Sequence, residues 1–278
     1  MIDKIRSLMP HLSFIIFMGV NGSGKGTKGL ILRNLAEGLG VYRIVMSELI
    51  DRHIKNNTPL GLIFNAQKKT KESGGLLLNP QIFEAIEQEI LAIYASYELS
   101  GYGGECKIIL DGYPRVEKIE DTEQLERFLS YGIPYIVFNL VIDKNTCLHR
   151  VNVRAITEGE RGDEASAPER FDKLSLGNEE ILRVMRALNP HNIIQIDGGV
   201  LILEQIMRIL KKCFGPGDIM KMIKHLDNPQ HEARKIIDKA ERKKLLHGGA
   251  TAHSVPRGMT EHNSTPASGS DALSLFTT

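Results

Sequence analysis

Gly19-Val20-Asn21-Gly22-Ser23-Gly24-Lys25-Gly26-Thr27 is the stretch that decides the fold. An apolar run, Phe14-Ile15-Ile16-Phe17-Met18, leads into it, and Leu30-Ile31-Leu32-Arg33-Asn34-Leu35 leads out. The order strand, glycine loop, helix is the one a phosphate-binding loop needs. Glycines let backbone N–H groups turn inward around a polyphosphate, and a helix N-terminus adds positive potential. Lys25 supplies a mobile charge for the outer phosphates. The GxxxxGK spacing is met by Gly19, Gly24 and Lys25; Gly26 stands where many such loops carry a hydroxyl, which arrives at Thr27. The spacing alone is a weak signal; flanked by an apolar strand and an apolar-periodic helix it is a strong one.

Short apolar runs alternate with helical patterns on either side of this stretch. Strands are expected at 13–18, 42–45, 107–110, 135–141 and 192–196, and their continuous apolar character suits a parallel sheet buried on both faces. Helices are expected at 25–37, 80–100, 122–130, 144–154, 169–188 and 201–212. The alternation predicts an α/β fold with a doubly wound five-stranded parallel sheet, in which ligands sit beyond the carboxyl ends of the strands. Residues 47–100 hold helical pattern without a strand and read as a helical insert. Residues 155–168 are polar and rich in Gly and Glu, and read as a flexible excursion. The main domain is expected to span 1–214. Gly215-Pro216-Gly217 marks its end, a charged helical extension runs to 247, with its helix starting near Asp227, and a disordered tail fills 248–278.

With 42% hydrophobic and 25% charged residues, the composition is that of an ordinary globular chain. A net charge of +1 gives no electrostatic case for a nucleic acid or membrane partner. No apolar run reaches spanning length, and the short run after Leu12 leads into the loop rather than to a cleavage site. Cys106, Cys147 and Cys213 are scattered, without zinc spacing, and point to a reducing compartment; the cytoplasm is the expected location.

A second motif, Leu110-Asp111-Gly112-Tyr113-Pro114-Arg115, ends an apolar run. An Asp at a strand end beside a phosphate loop can hold magnesium through water. Gly112 and Pro114 would fix a turn that aims Arg115, a bidentate phosphate ligand, over the strand ends.

Together, Gly-x-x-Gly-Ser-Gly-Lys-Gly-Thr and Asp-Gly-Tyr-Pro-Arg resemble the adenylate kinase family of nucleoside monophosphate kinases, over residues 12 to 213. Met46-Ser47-Glu48-Leu49-Ile50-Asp51-Arg52 falls where the family has Ser-Thr-Gly-Asp-x-x-Arg, and Gly75-Leu76-Leu77-Leu78-Asn79 where it has Gly-x-Leu-Val-Pro. Ile194-Gln195-Ile196-Asp197-Gly198 resembles its last strand and turn. The resemblance turns the polar excursion, about 154–168, into a short mobile lid without zinc. Arg150 and Arg154 share a helix face at its entry, Arg161-Gly162-Asp163-Glu164 resembles the family's Arg-x-Asp-Asp, and Arg170 follows.

The resemblance implies transfer of the γ-phosphoryl group of ATP to a monophosphate, most simply AMP, with magnesium as cofactor. Gly22, Ser23, Gly24, Lys25, Gly26, Thr27 and Arg150 would bind ATP. Ser47, Arg52, Leu78, Gly112, Arg115 and Asp163 would bind the acceptor, Asp111 would hold the metal through water, and Lys25, Arg115, Arg154, Arg161 and Arg170 would stabilise the transferring phosphoryl. The reaction asks for positioning and positive charge rather than a nucleophile. The resemblance favours a monomer.

The match departs from the family at Asn21 and Asn79, where the family has Pro, and at Glu48-Leu49 for Gly-Asp. The lid is shorter. Ile119 stands where adenylate kinases carry the Gln that reads the acceptor adenine, and Gln124 could replace it only through a bulged loop. Ser47 keeps a hydroxyl where adenine-accepting members carry Thr, which leans towards AMP. A CMP or UMP kinase of the same fold, and a nucleotide-binding regulator without turnover, remain the alternatives.

Overall fold

The computed structural model describes residues 1–70, 79–115, 122–158 and 167–247. Their strands are β1 (Leu12–Met18), β2 (Val41–Val45), β3 (Cys106–Asp111), β4 (Tyr135–Val141) and β5 (Ile193–Asp197). Their α-helices are α1 (Ile2–Arg6), α2 (Lys25–Leu35), α3 (Met46–Lys55), α4 (Pro59–Thr70), α5 (Asn79–Leu99), α6 (Glu123–Ser130), α7 (Lys144–Glu158), α8 (Ala167–Leu188), α9 (Ile202–Cys213), α10 (Pro216–Asp227) and α11 (Glu232–His247). The strands form one parallel sheet in the order β2-β3-β1-β4-β5, so the strand that feeds the glycine loop is central.

The apolar run of β1 is explained by what covers it. Phe14, Ile16 and Met18 point into a core shared with α5, α6 and α8. Ile15 and Phe17 point the other way, into a core shared with α2, α9, α10 and α11. A strand buried on both faces has no polar side to present, so alternation is lost. This is the α/β, doubly wound arrangement of phosphate-loop kinases, with α3, α4 and α5 inserted between β2 and β3.

Element boundaries differ from the sequence reading where helices meet proline or polar stretches. Helix α7 continues to Glu158 and α8 begins at Ala167, so both reach into the predicted excursion. Residues 159–166, the rest of the expected lid, lie outside the described residues. Gly215-Pro216-Gly217 does not end the helical pattern: Pro216 opens α10, because its fixed φ suits the first helical turn and its missing N–H is unneeded there. The α10 side chains Ile219, Met222 and Leu226, with Ala233 and Ile237 of α11, are buried in the same core as Ile31, Leu32 and Leu35 of α2.

Residues Met1–Arg242 form one compact unit; 243–247 complete the last helix, and the tail expected at 248–278 lies outside the described residues. No helix among the described residues is long and apolar enough to cross a membrane.

Candidate functional site

The glycine loop turns from β1 into α2 through backbone that side chains rarely adopt: Gly19, Gly22 and Gly24 have φ of +140°, +84° and +90°. At Gly22 the constraint is double, since a Cβ there would lie 2.5 Å from the Cys147 carbonyl oxygen of α7. Only glycine meets both demands. Ser23 N–H donates to the Val20 carbonyl at 3.2 Å, and Lys28 N–H to that of Gly24 at 3.1 Å. The Ser23 hydroxyl is fully buried and has no hydrogen-bond partner among the described residues. Gly26 and Thr27 occupy the first turn of α2.

Lys25 lies back on its own loop, its Nζ donating to the Gly19 carbonyl at 2.5 Å and the Val20 carbonyl at 2.9 Å. Burial lowers its pKa from 10.5 to about 8, Asp111 pulls it up, and Arg115 pushes it down. Residues far apart in sequence are thus gathered at the carboxyl end of the central strands. Asp111 ends β3, in register with Phe17 of β1 and Val45 of β2. Gly112 follows with φ of +87°, and Arg115 is half-buried beyond the turn.

Arg150, on α7, is held over the loop: it donates to the Gly22 carbonyl at 3.3 Å and to the Gly198 carbonyl after β5 at 3.5 Å. Burial lowers its pKa from its usual value. Arg154 lies one turn further along α7 and is half-buried. Arg170 falls in the first turn of α8, its side chain outside the description. Leu78, Arg161, Asp163 and Ile119 lie outside the described residues.

The insert holds its candidates differently. Ser47 is exposed in the first turn of α3. Arg52, also on α3, is half-exposed and forms an ion pair with Glu89 of α5 at 2.6 Å. Gln124 is buried, and its amide is engaged at both ends. Its Oε1 accepts from the Arg115 N–H at 3.1 Å, and its Nε2 donates to Asn79 Oδ1 at 2.9 Å. Asn79 in turn donates to Glu123 at 2.8 Å. Asn79, a departure from the family pattern, therefore meets Gln124, and together they tie the Asp-Gly-Tyr-Pro-Arg turn to the insert.

One residue escaped the sequence reading. Arg43 of β2 forms an ion pair with Asp111 at 2.7 Å, and both side chains are nearly buried. The available signal was a lone charge inside Val41-Tyr42-Arg43-Ile44-Val45, since a buried cation needs a partner. Asp111 Oδ2 is the oxygen that Arg43 takes; among the described residues Oδ1 has no hydrogen bond and is left for water or a water-bound ion. That suits an outer-shell magnesium better than a direct ligand set, and no cluster of metal-ligating side chains exists among the described residues.

Sheet order, glycine loop and strand-end carboxylate define the class: a phosphate-loop α/β protein. No family model matches the chain. It is 31% identical over 144 residues to an adenylate kinase of Borrelia duttonii, a match covering 52% of this chain and 58% of that protein. It is 30% identical over 146 residues to the Bacillus subtilis adenylate kinase, covering 51% and 58%. With the Thermus thermophilus enzyme the figures are 28% over 151 residues, 54% and 69%. The chain is related to the adenylate kinase family, and its matched part spans under three-fifths of the Borrelia and Bacillus proteins.

Proposed function

We propose that the chain transfers the γ-phosphoryl group of ATP reversibly to a nucleoside monophosphate, with AMP as the first acceptor. The observation that carries this reading is the convergence of Lys25, Asp111 and Arg115, close enough for the latter two to move the ionisation of the first. In this reading the loop from Gly22 to Thr27 cradles the donor phosphates with backbone N–H groups. Lys25 leaves its two carbonyl partners for phosphate oxygens, a stronger, charge-assisted interaction. Magnesium, brought with ATP, would neutralise charge on the donor phosphates. Asp111 would hold its water shell through Oδ1.

Arg52 and Arg115 hold the acceptor phosphate beside Ser47, Gly112 and Leu78. Arg150 reaches the loop from α7, and Arg154, Arg161, Asp163 and Arg170 would complete the closed site around the lid, where excluding water protects the transferring group. The protein would act as a monomer in the cytoplasm, on ATP and a monophosphate.

The engaged amide of Gln124 favours a second reading, a CMP or UMP kinase, because that side chain is not free to read adenine as it stands. A coupled assay with magnesium and ATP against AMP, CMP, UMP and GMP decides between them. AMP giving the highest kcat/KM supports the first reading; a pyrimidine monophosphate giving it overturns that reading in favour of the second. ATP binding without transfer to any of them overturns both.

A further inference from the structure

We infer that Arg43 is a built-in counter-cation at Asp111, with which magnesium must compete for the carboxylate; the inference rests on the phosphotransfer reading above. Arg43 is in register with Ile109 of β3, and Asp111 lies two residues further on, so both side chains leave the sheet on the face covered by α2. The guanidinium meets Asp111 Oδ2 at 2.7 Å, with side-chain exposures of 14% and 11%. A pair so placed is only weakly screened by solvent.

Helix α2 is shaped around this pair. A Cβ at Gly29 would lie 2.9 Å from Arg43 Nε. At Gly26 it would lie 3.5 Å from the terminal guanidinium nitrogen and 3.6 Å from Asp111 Oδ2. The two glycines, three residues apart, form a trough on one helix face in which the arginine lies. Arg43 Nε is buried without a hydrogen-bond partner among the described residues, so the side chain is placed for its contact with Asp111 at the cost of an unmet donor.

The electrostatic consequence follows. Asp111 brings one negative charge to a place where Arg43, Lys25 and Arg115 bring positive ones. A divalent cation entering there is repelled by the guanidinium and gains less from a carboxylate already paired, whereas a polyphosphate is attracted without it. Nucleotide binding by this chain therefore depends weakly on magnesium.

The test uses the full chain and a fluorescent N-methylanthraniloyl ATP, titrated in EDTA and then across magnesium concentrations. For the wild type, magnesium is expected to change the nucleotide Kd by less than about three-fold; Arg43→Gln should raise that dependence to about ten-fold and lower the magnesium midpoint. Arg43→Lys should restore most of the wild-type behaviour, and Asp111→Asn should erase the difference that Arg43→Gln makes. If circular dichroism shows Arg43→Gln unfolded, Gly29→Ala displaces the same guanidinium and should shift the midpoint in the same direction. Strong magnesium dependence in the wild type, with midpoints unmoved by these variants, overturns the inference while leaving the phosphotransfer reading intact. Absence of nucleotide binding under every condition overturns both.

Discussion

The glycine loop and the helical insert hold their arginines and lysines in different ways. Around the loop, Lys25 and, from α7, Arg150 rest on backbone carbonyls of Gly19, Val20, Gly22 and Gly198. In the insert, Arg52 is paired with a carboxylate, Glu89. A neutral carbonyl gives a cation up to phosphate more readily than a carboxylate does. The loop is thus poised for an anion, while the insert has a competing anion of its own. The backbone differs too: the loop follows left-handed conformations that glycine adopts without strain, whereas the insert contributes regular helices.

The largest effect should come from breaking the loop side. Lys25→Met is expected to lower turnover by about 10²–10³-fold, the scale of losing one charge-stabilising donor, with the fold retained by circular dichroism. Unchanged turnover would sink the proposed role of the loop.

Gly22→Ala strikes the backbone of the same region. With φ of +84° and a Cβ 2.5 Å from the Cys147 carbonyl, the variant should lose about 1–3 kcal/mol in thermal or denaturant unfolding, and nucleotide affinity with it. An unaltered melting temperature would mean that the loop and α7 are not in such close contact.

On the insert side, Arg52→Ala should raise the KM for the monophosphate about ten-fold and leave ATP affinity unchanged. Glu89→Gln should do the reverse, lowering that KM by a few-fold at most, since a half-exposed ion pair is weak. Equal effects of both variants on ATP and monophosphate would erase the contrast between the two regions.

The smallest effect is in protons. Lys25 titrates near 8 in the free protein, below its ordinary 10.5, and bound phosphates raise it again. Binding near pH 9 should therefore take up about one proton, and affinity should fall as pH rises through 8. Calorimetry in two buffers of different ionisation enthalpy reads the uptake; none at pH 9 would remove Lys25 from the phosphate site. The same depression affects the free fold in the opposite sense. Between 8 and 10.5 the unfolded chain binds more protons than the native one, so the contribution of Lys25 to stability rises with pH there.

Much of the loop side was legible in the sequence because its constraints are local. A left-handed backbone selects glycine, a buried strand selects an apolar run, and both leave their mark within a few neighbouring residues. The helices at the C-terminal end were less so. Gly215-Pro216-Gly217 carries the residues of a terminator, and the buried face of α10 against α2 turned it into a start. Asn79 of the insert read only as a departure from the family pattern and Gln124 of α6 as a distant substitute for the amide missing at Ile119, because their partnership spans distant positions.

By itself, then, the sequence determined the parallel α/β sheet, the strand–loop–helix unit with Lys25 at its turn, and the carboxylate at the end of β3, all products of short-range geometry and periodic burial. Tertiary structure alone decided which charges meet. Arg43 reaches Asp111, Arg52 reaches Glu89, and Gln124 bridges Arg115 and Asn79. Such pairings depend on the register of strands and the placement of helices, which bring together side chains that no local rule connects.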